Sequence, residues 1–232
     1  MINYNNIKGI IFDLDGTLID SMQIWYEIDK RFLMENGVEN PTRDISEKVK
    51  KMTVVQSSDF FIRKFNLKCT REYVIQRIEE LVRIEYEENI PLKPYAIELL
   101  DYFDSRGIPY GIATATYSSL AEAVLKRHRI YDKMKFLLTD AEYPKGKKFP
   151  DIFLGAAEIF GTKPCETLVV EDSLHSIVTA KNAGFITAAV YDKASAPDRH
   201  EIEKLSDHYF LSLKELKGES YEKGNAGYEW RS

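Results

Sequence analysis

Five short apolar runs, separated by helix-patterned sequence, restrict this chain to an α/β architecture. They are Ile7 to Phe12, Ile108 to Thr114, Lys135 to Thr139, Leu168 to Glu171 and Phe185 to Val190. The first is a continuous run of β-branched and aromatic residues, not an alternating one, which suits a strand covered on both faces. Such strands alternating with helices predict a doubly wound parallel sheet. The helices between them carry their own punctuation. Pro94 stands early in one, Ile97, Leu100 and Phe103 share its inner face, and Gly107 closes it; similar stops fall at Gly161 and Gly184. Their apolar stripes are core and carry no chemistry.

Between Ser21 and Ile90 the strands disappear and amphipathic helices follow one another. Met22, Trp25, Ile28 and Phe32 share one face; Ile45, Val49 and Met52 share another; Val74, Ile78, Leu81 and Val82 share a third. An all-helical insertion between the first two strands of a sheet is expected to form a small domain of its own, residues 21–90, beside a core made of 1–20 and 91–218. The crossings near Ile19-Asp20-Ser21 and Pro91-Leu92-Lys93-Pro94 are candidate hinges. Residues 219–232 are polar and glycine-containing and are expected to be a flexible tail.

Composition narrows the partners. With 232 residues and 44% apolar content the chain can bury a sizeable core, and a net charge of −5 spread over 30% charged residues leaves no basic face. Nucleic acid and membrane surfaces are therefore poor candidates. Cys69 and Cys165 are far apart, lack C-x-x-C spacing and read as unpaired thiols. The first residues show neither a signal-peptide pattern nor a membrane-spanning stretch, so a reducing cytoplasm is the expected location. A monomer is expected, with a dimer left open.

Open α/β sheets bind ligands beyond the carboxyl ends of their strands. There the sequence places Asp13-Leu14-Asp15-Gly16-Thr17 after the first strand, Thr114 after the second and Glu171-Asp172 after the fourth, with Lys147 in the loop before a helix starting near Asp151. These supply carboxylates for a hard cation, a hydroxyl and an ammonium for phosphate oxygens, and a nucleophile. A solvated turn capping a helix would explain Asp-Gly-Thr alone, but not the buried run before it or the other strand ends.

Phe12-Asp13-Leu14-Asp15-Gly16-Thr17-Leu18 resembles the first motif of the haloacid dehalogenase-like phosphatases, in the subfamily that includes β-phosphoglucomutase. Ile112-Ala113-Thr114 resembles the second motif, Lys147 to Asp151 the third, and Val169-Val170-Glu171-Asp172-Ser173 the fourth. Order and spacing agree from residue 7 to residue 192. The resemblance implies a Rossmann-like core with a helical cap, and a Mg²⁺-dependent phosphatase acting on a small phosphomonoester through an aspartyl-phosphate. It implies that Asp13 is nucleophile and ligand, that the Asp15 carbonyl and Asp172 complete the protein's share of the metal shell, and that Glu171 is either a further ligand or an orienting group behind it. Asp15 would protonate the leaving oxygen and later take a proton from water. Thr114, with Ala115 after it, and Lys147 would bind phosphate oxygens. An acid at Asp15 argues against dehalogenation, since a halide needs no proton to leave.

The third motif commonly reads Lys-Pro-x-Pro-Asp; here it is Lys147-Lys148-Phe149-Pro150-Asp151, with Lys145 nearby, and counting back from Pro150-Asp151 selects Lys147. Ser176 stands where the family often has glycine. Lys50 and Lys51 are either substrate-binding residues of the cap or a solvated helix face. His128, His175, His200 and His208 have no zinc spacing and read as structural or surface residues. Two other functions use similar parts. A mutase of the β-phosphoglucomutase type would return the phosphoryl group to the sugar, and a receiver-like signalling module would lack the helical insertion.

Overall fold

The computed structural model describes residues 2–49, 52 and 54–218. Six parallel strands form one sheet: β1 Gly9–Phe12, β2 Tyr110–Ala113, β3 Leu137–Leu138, β4 Thr167–Glu171, β5 Ile186–Val190 and β6 His208–Phe210. Their order is β3-β2-β1-β4-β5-β6. The sheet and the helices on its two faces make a Rossmann-like fold. β1 is central, in register with β2 through Phe12 opposite Ile112 and with β4 through Phe12 opposite Val170. The strand that ends in Asp13 is thus flanked by the two that end in Thr114 and in Glu171-Asp172.

Ten α-helices complete the described chain: α1 Ile24–Glu35, α2 Arg43–Val49, α3 Val54–Phe65, α4 Arg71–Ile84, α5 Ala96–Ser105, α6 Ser118–Arg127, α7 Asp151–Phe160, α8 Leu174–Asn182, α9 Arg199–Leu205 and α10 Leu213–Leu216. Strand residues alternate between two apolar layers, as the pleat requires. Ile10, Phe12, Leu168 and Val170 pack with Leu99, Phe103, Val124 and Leu213 of α5, α6 and α10. Ile11, Ala113 and Val169 pack with Ile152, Phe153 and Ala156 of α7 and with Phe185. The first layer continues without a break into the inserted helices through Ile28, Phe32, Phe61, Val74, Leu81 and Ile90.

The insertion enters and leaves through one neck. Ile19 and Leu92 form an antiparallel bridge, the Asp20 N–H donates to the Pro91 carbonyl at 2.9 Å and the Lys93 N–H to the Leu18 carbonyl at 2.9 Å. Lys93 also pairs with the buried Asp192 at 2.7 Å, in the segment that follows β5. No helix among the described residues is long and apolar enough to cross a membrane.

Several local expectations are corrected. On α1 the inward face is Ile24, Ile28 and Phe32 with Leu33, whereas Trp25 is 45% exposed; the helix begins after Met22, so that residue does not set its phase. Ile45 and Val49 are buried but Met52, past the end of α2, is exposed. Pro94 lies outside α5, because Tyr95 takes a left-handed conformation at φ +69° before the helix starts at Ala96. The edge strand β6 adds to the five expected. It is held in place by Asp207, whose carboxylate accepts both the N–H and the hydroxyl of Thr187 at 2.9 Å.

Gly111 in β2 is required by close approach. A Cβ there would lie 2.5 Å from the ring of Phe136, which packs on Phe160 at a centroid distance of 4.8 Å. Gly111→Ala is expected to destabilise the fold by about 1–3 kcal/mol through overpacking. Phe136→Leu should recover part of that loss when combined with it. Urea unfolding of the two single variants and the double variant measures the coupling; strictly additive effects would mean that Phe136 is not what Gly111 makes room for.

Candidate active site

Three strand ends and one loop bring the polar groups together. The Asp13 N–H donates to the Val170 carbonyl at 2.9 Å, one residue beyond β1, so β4 fixes the start of the turn that follows. That turn closes on itself: Leu14 O accepts the N–H groups of Leu18 at 2.9 Å and Ile19 at 3.0 Å. Gly16 adopts φ +83°, and a Cβ there would lie 2.9 Å from Asp172 Oδ2. Only glycine lets this turn lie against the β4 carboxylate without strain.

Lys147 enters from the 3₁₀ turn Gly146–Lys148 that precedes α7. It is 6% exposed, and its Nζ donates to Asp13 Oδ1 and, at 2.8 Å, to Glu171 Oε1. Its neighbours point elsewhere: Lys145 is exposed and 3.8 Å from Asp151, and Lys148 is exposed. Glu171 spends its other oxygen on the backbone. Oε2 accepts the N–H of Asp172, the N–H of Ser173 and the Ser173 hydroxyl, each at 2.8 Å. That hydroxyl is also 2.9 Å from Ser176 Oγ, so the serine at the position where glycine is common ties the start of α8 to the β4 turn.

Asp13, Glu171 and Asp172 are all buried, and one carboxylate oxygen from each lies within 4.8 Å of the others. With Asp15 nearby, four carboxylates share the site with the buried ammonium of Lys147, and the charge of Lys93 reaches Asp172 from the neck. Burial pushes Asp13 well above the usual carboxylate range; Lys147 opposes this, while the charges of Glu171, Asp172 and Asp15 add to it. Asp172 is pushed up to about 7 by burial and by the charge of Glu171, against a 2.7 Å hydrogen bond from Ser195. Burial would also raise Glu171, but Lys147 and the Ser173 donors hold it below its ordinary value. Lys147 is desolvated too, yet the charges of Asp13 and Glu171 keep its ammonium above the usual lysine range. Shifts of this kind cluster where chemistry is done.

Asp15 is held separately. Tyr86 donates to its Oδ1, Thr116 Oγ1 donates to its Oδ2 at 2.5 Å, and Thr114 Oγ1 stands 3.5 Å from the same oxygen. Thr114 is 1% exposed and accepts the Thr116 N–H at 3.1 Å, which shapes the turn at the end of β2; Ala115, at the tip of that turn, is exposed. Lys50 and Lys51 lie outside the described residues. His128 binds the Ile90 carbonyl at 2.9 Å, and His175 is exposed on α8.

Tyr86, Thr116, Ser195 and the Lys93–Asp192 pair were not singled out from the sequence. Thr116 had a signal, since hydroxyls two residues apart at a strand end form such turns. Tyr86 is 71 residues from Asp15, and Ser195 is 23 from Asp172; no local pattern marks either.

The sequence is 29% identical to hexitol phosphatase A of Escherichia coli over 84% of this chain and 88% of that protein. It is 29% identical to the mitochondrial (DL)-glycerol-3-phosphatase 1 of Arabidopsis thaliana over 93% of this chain and 74% of that protein. Its fold superposes on the β-phosphoglucomutase of Clostridium difficile with a TM-score of 0.64 at 22% identity, over 90% of this chain and 93% of that one. A sequence model of the haloacid dehalogenase-like hydrolases matches residues 10–190, a span that holds Asp13, Asp15, Thr114, Lys147, Glu171 and Asp172, and the chain belongs to that family.

Proposed function

We propose that this protein is a phosphoric monoester hydrolase that releases phosphate from a small phosphorylated metabolite, a sugar phosphate or similar ester, through an aspartyl-phosphate on Asp13. The observation that carries this reading is Lys147 buried between Asp13 and Glu171 at the end of β1, with Asp15 held two residues away. Lys147 grips Asp13 Oδ1 and leaves the other oxygen to attack phosphorus. A new O–P bond forms, the ester P–O bond breaks, and Asp15 gives its proton to the departing oxygen. Water then attacks the same phosphorus, Asp15 takes its proton, and the Asp13 carboxylate returns as phosphate leaves. The Lys147 ammonium, the Thr114 hydroxyl and the backbone at Ala115 face the phosphoryl oxygens.

The donor set fits Mg²⁺: the groups are all oxygens, and three buried carboxylates meet where Lys147 is the buried ammonium among the described residues. Asp13, Asp172 and the main-chain carbonyl of Asp15 would hold the ion. Bound there, it supplies the positive charge that lets a carboxylate approach a phosphoryl group. Glu171, with both oxygens already hydrogen-bonded, acts behind that shell by orienting Lys147 and the β4 turn. Residues 21–90 serve as a cap over the core, 1–20 and 91–218, that excludes bulk water from the site. A reducing cytoplasm is in keeping with the free thiols of Cys69 and Cys165.

Phosphorylated metabolites incubated with the enzyme and Mg²⁺ should yield free inorganic phosphate. Asp13→Asn should lower that turnover by about a thousandfold or more. Undiminished turnover would rule out Asp13 as nucleophile, and a rearranged sugar phosphate without free phosphate would favour a mutase. The names of the curated relatives favour hydrolysis.

Metal binding should be linked to pH through Asp172. Its raised value means that the folded protein holds this proton more tightly than the unfolded chain does. The stability this gives is full below the ordinary carboxylate range and is lost as pH rises through about 7. Mg²⁺ takes the proton's place, so it should raise the thermal midpoint more at about pH 8 than at about pH 5.5, by roughly 2–4 °C. Differential scanning fluorimetry reads this directly. Equal gains at the two pH values would remove Asp172 from the ligands.

A further inference from the structure

Tyr86 reaches Asp15 from an unusual piece of backbone. After α4 the helix widens into a π turn, Glu85–Asn89, closed by the Ile90 N–H on the Glu85 carbonyl at 2.9 Å. Isolated π turns cost hydrogen-bond geometry and recur at functional sites. This one is docked on the sheet side of the molecule by the end of α6. Arg127 donates to the carbonyls of Glu88, at 3.0 Å, and Ile90, and His128 binds the Ile90 carbonyl at 2.9 Å. Carbonyls at a helix C-terminus lack intrahelical partners and attract cations, so this pairing anchors the last turn of the insertion to α6. Tyr86 is 5% exposed, and its hydroxyl is delivered to Asp15 Oδ1 while Thr116 occupies Oδ2.

We infer that Tyr86 is a positioning residue for Asp15: its hydroxyl, carried by the docked π turn, sets the plane of the carboxylate that hands a proton to the leaving oxygen. The inference rests on the hydrolase reading above. A carboxylate has about four lone-pair sites; Thr116, with Thr114 at 3.5 Å behind it, covers Oδ2, while Tyr86 alone on Oδ1 leaves a second site there for the travelling proton. Held by Tyr86 alone or by Thr116 alone the group can rotate about its Cβ–Cγ bond; held by both, from elements 30 residues apart in sequence, it cannot. Both donors are neutral hydroxyls, so they fix direction without adding charge to the crowded site.

Tyr86→Phe keeps the ring and removes only the hydroxyl. The test compares kcat/KM for two substrates, since this ratio reports the steps up to departure of the leaving group. An alkyl phosphate, the metabolite that the unmodified enzyme turns over fastest, needs a proton on its leaving oxygen; 4-nitrophenyl phosphate does not. Tyr86→Phe should lower kcat/KM about tenfold or more for the alkyl ester and less than about threefold for the aryl ester. A merely structural role would lower both alike, and equal effects, or none, would overturn the inference. The outcome is separable from the underlying reading: if the unmodified enzyme hydrolyses neither ester, the hydrolase assignment itself falls. Should Tyr86→Phe unfold, Thr116→Val, which frees the other oxygen of Asp15, must show the same split between the two esters, and a uniform loss there counts against the proposal.

Discussion

Among the described residues, carboxylates outnumber ammonium groups at the carboxyl end of the sheet, and that imbalance governs how the surrounding chain is built. Asp13, Glu171 and Asp172 are buried where their charges repel and water is scarce. An arrangement of this kind is unfavourable for folding taken alone, because buried like charges must be neutralised or protonated. The structure answers with Lys147 and with short-range donors. Backbone N–H groups and serine hydroxyls point at Glu171 and Asp172, and the hydroxyls of Tyr86 and Thr116 point at Asp15. What remains uncompensated is negative charge, which a bound cation would offset.

The apolar layers are what allow such a cluster to persist. β1 is covered on both faces, so its end cannot drift, and hydrogen bonding to β4 places Asp13 beside Asp172 without help from any side chain. Gly16 then brings the turn closer than any other residue would permit. The site is thus positioned mostly by backbone, and side-chain chemistry is laid over a frame that packing has already fixed.

Much of this could be read from the chain before folding was considered, and the parts that could not share a cause. The strand runs and the residues at their ends are local patterns, and so are the turn at Gly16 and the spacing that singles out Lys147. Contacts that join distant segments leave no such trace. Tyr86 owes its place to a π turn that shifts the helix phase and to Arg127 from another helix, and Ser195 owes its place to the segment after β5. Strand β6 is three half-buried residues at an edge, too short to show alternation. The misjudged face of α1 has a different origin: Trp25 is apolar enough to imitate a core residue, while its neighbour Ile24 is the one turned inward.

The neck at Ile19 and Leu92 gives the fold a modular quality. Because the chain departs from the sheet and rejoins it at a single bridge, the length and content of what lies between place little demand on the strands themselves. A different helical cassette grafted at those two positions would leave the register of β1 with β2 and β4 unchanged. The final turn is the exception, since it carries the tyrosine that touches Asp15 and is clasped by α6. Exchange of the cassette would therefore respect the frame only if the graft ended before Glu85, which places the boundary of the exchangeable part at the end of the insertion's last α-helix and not at the neck.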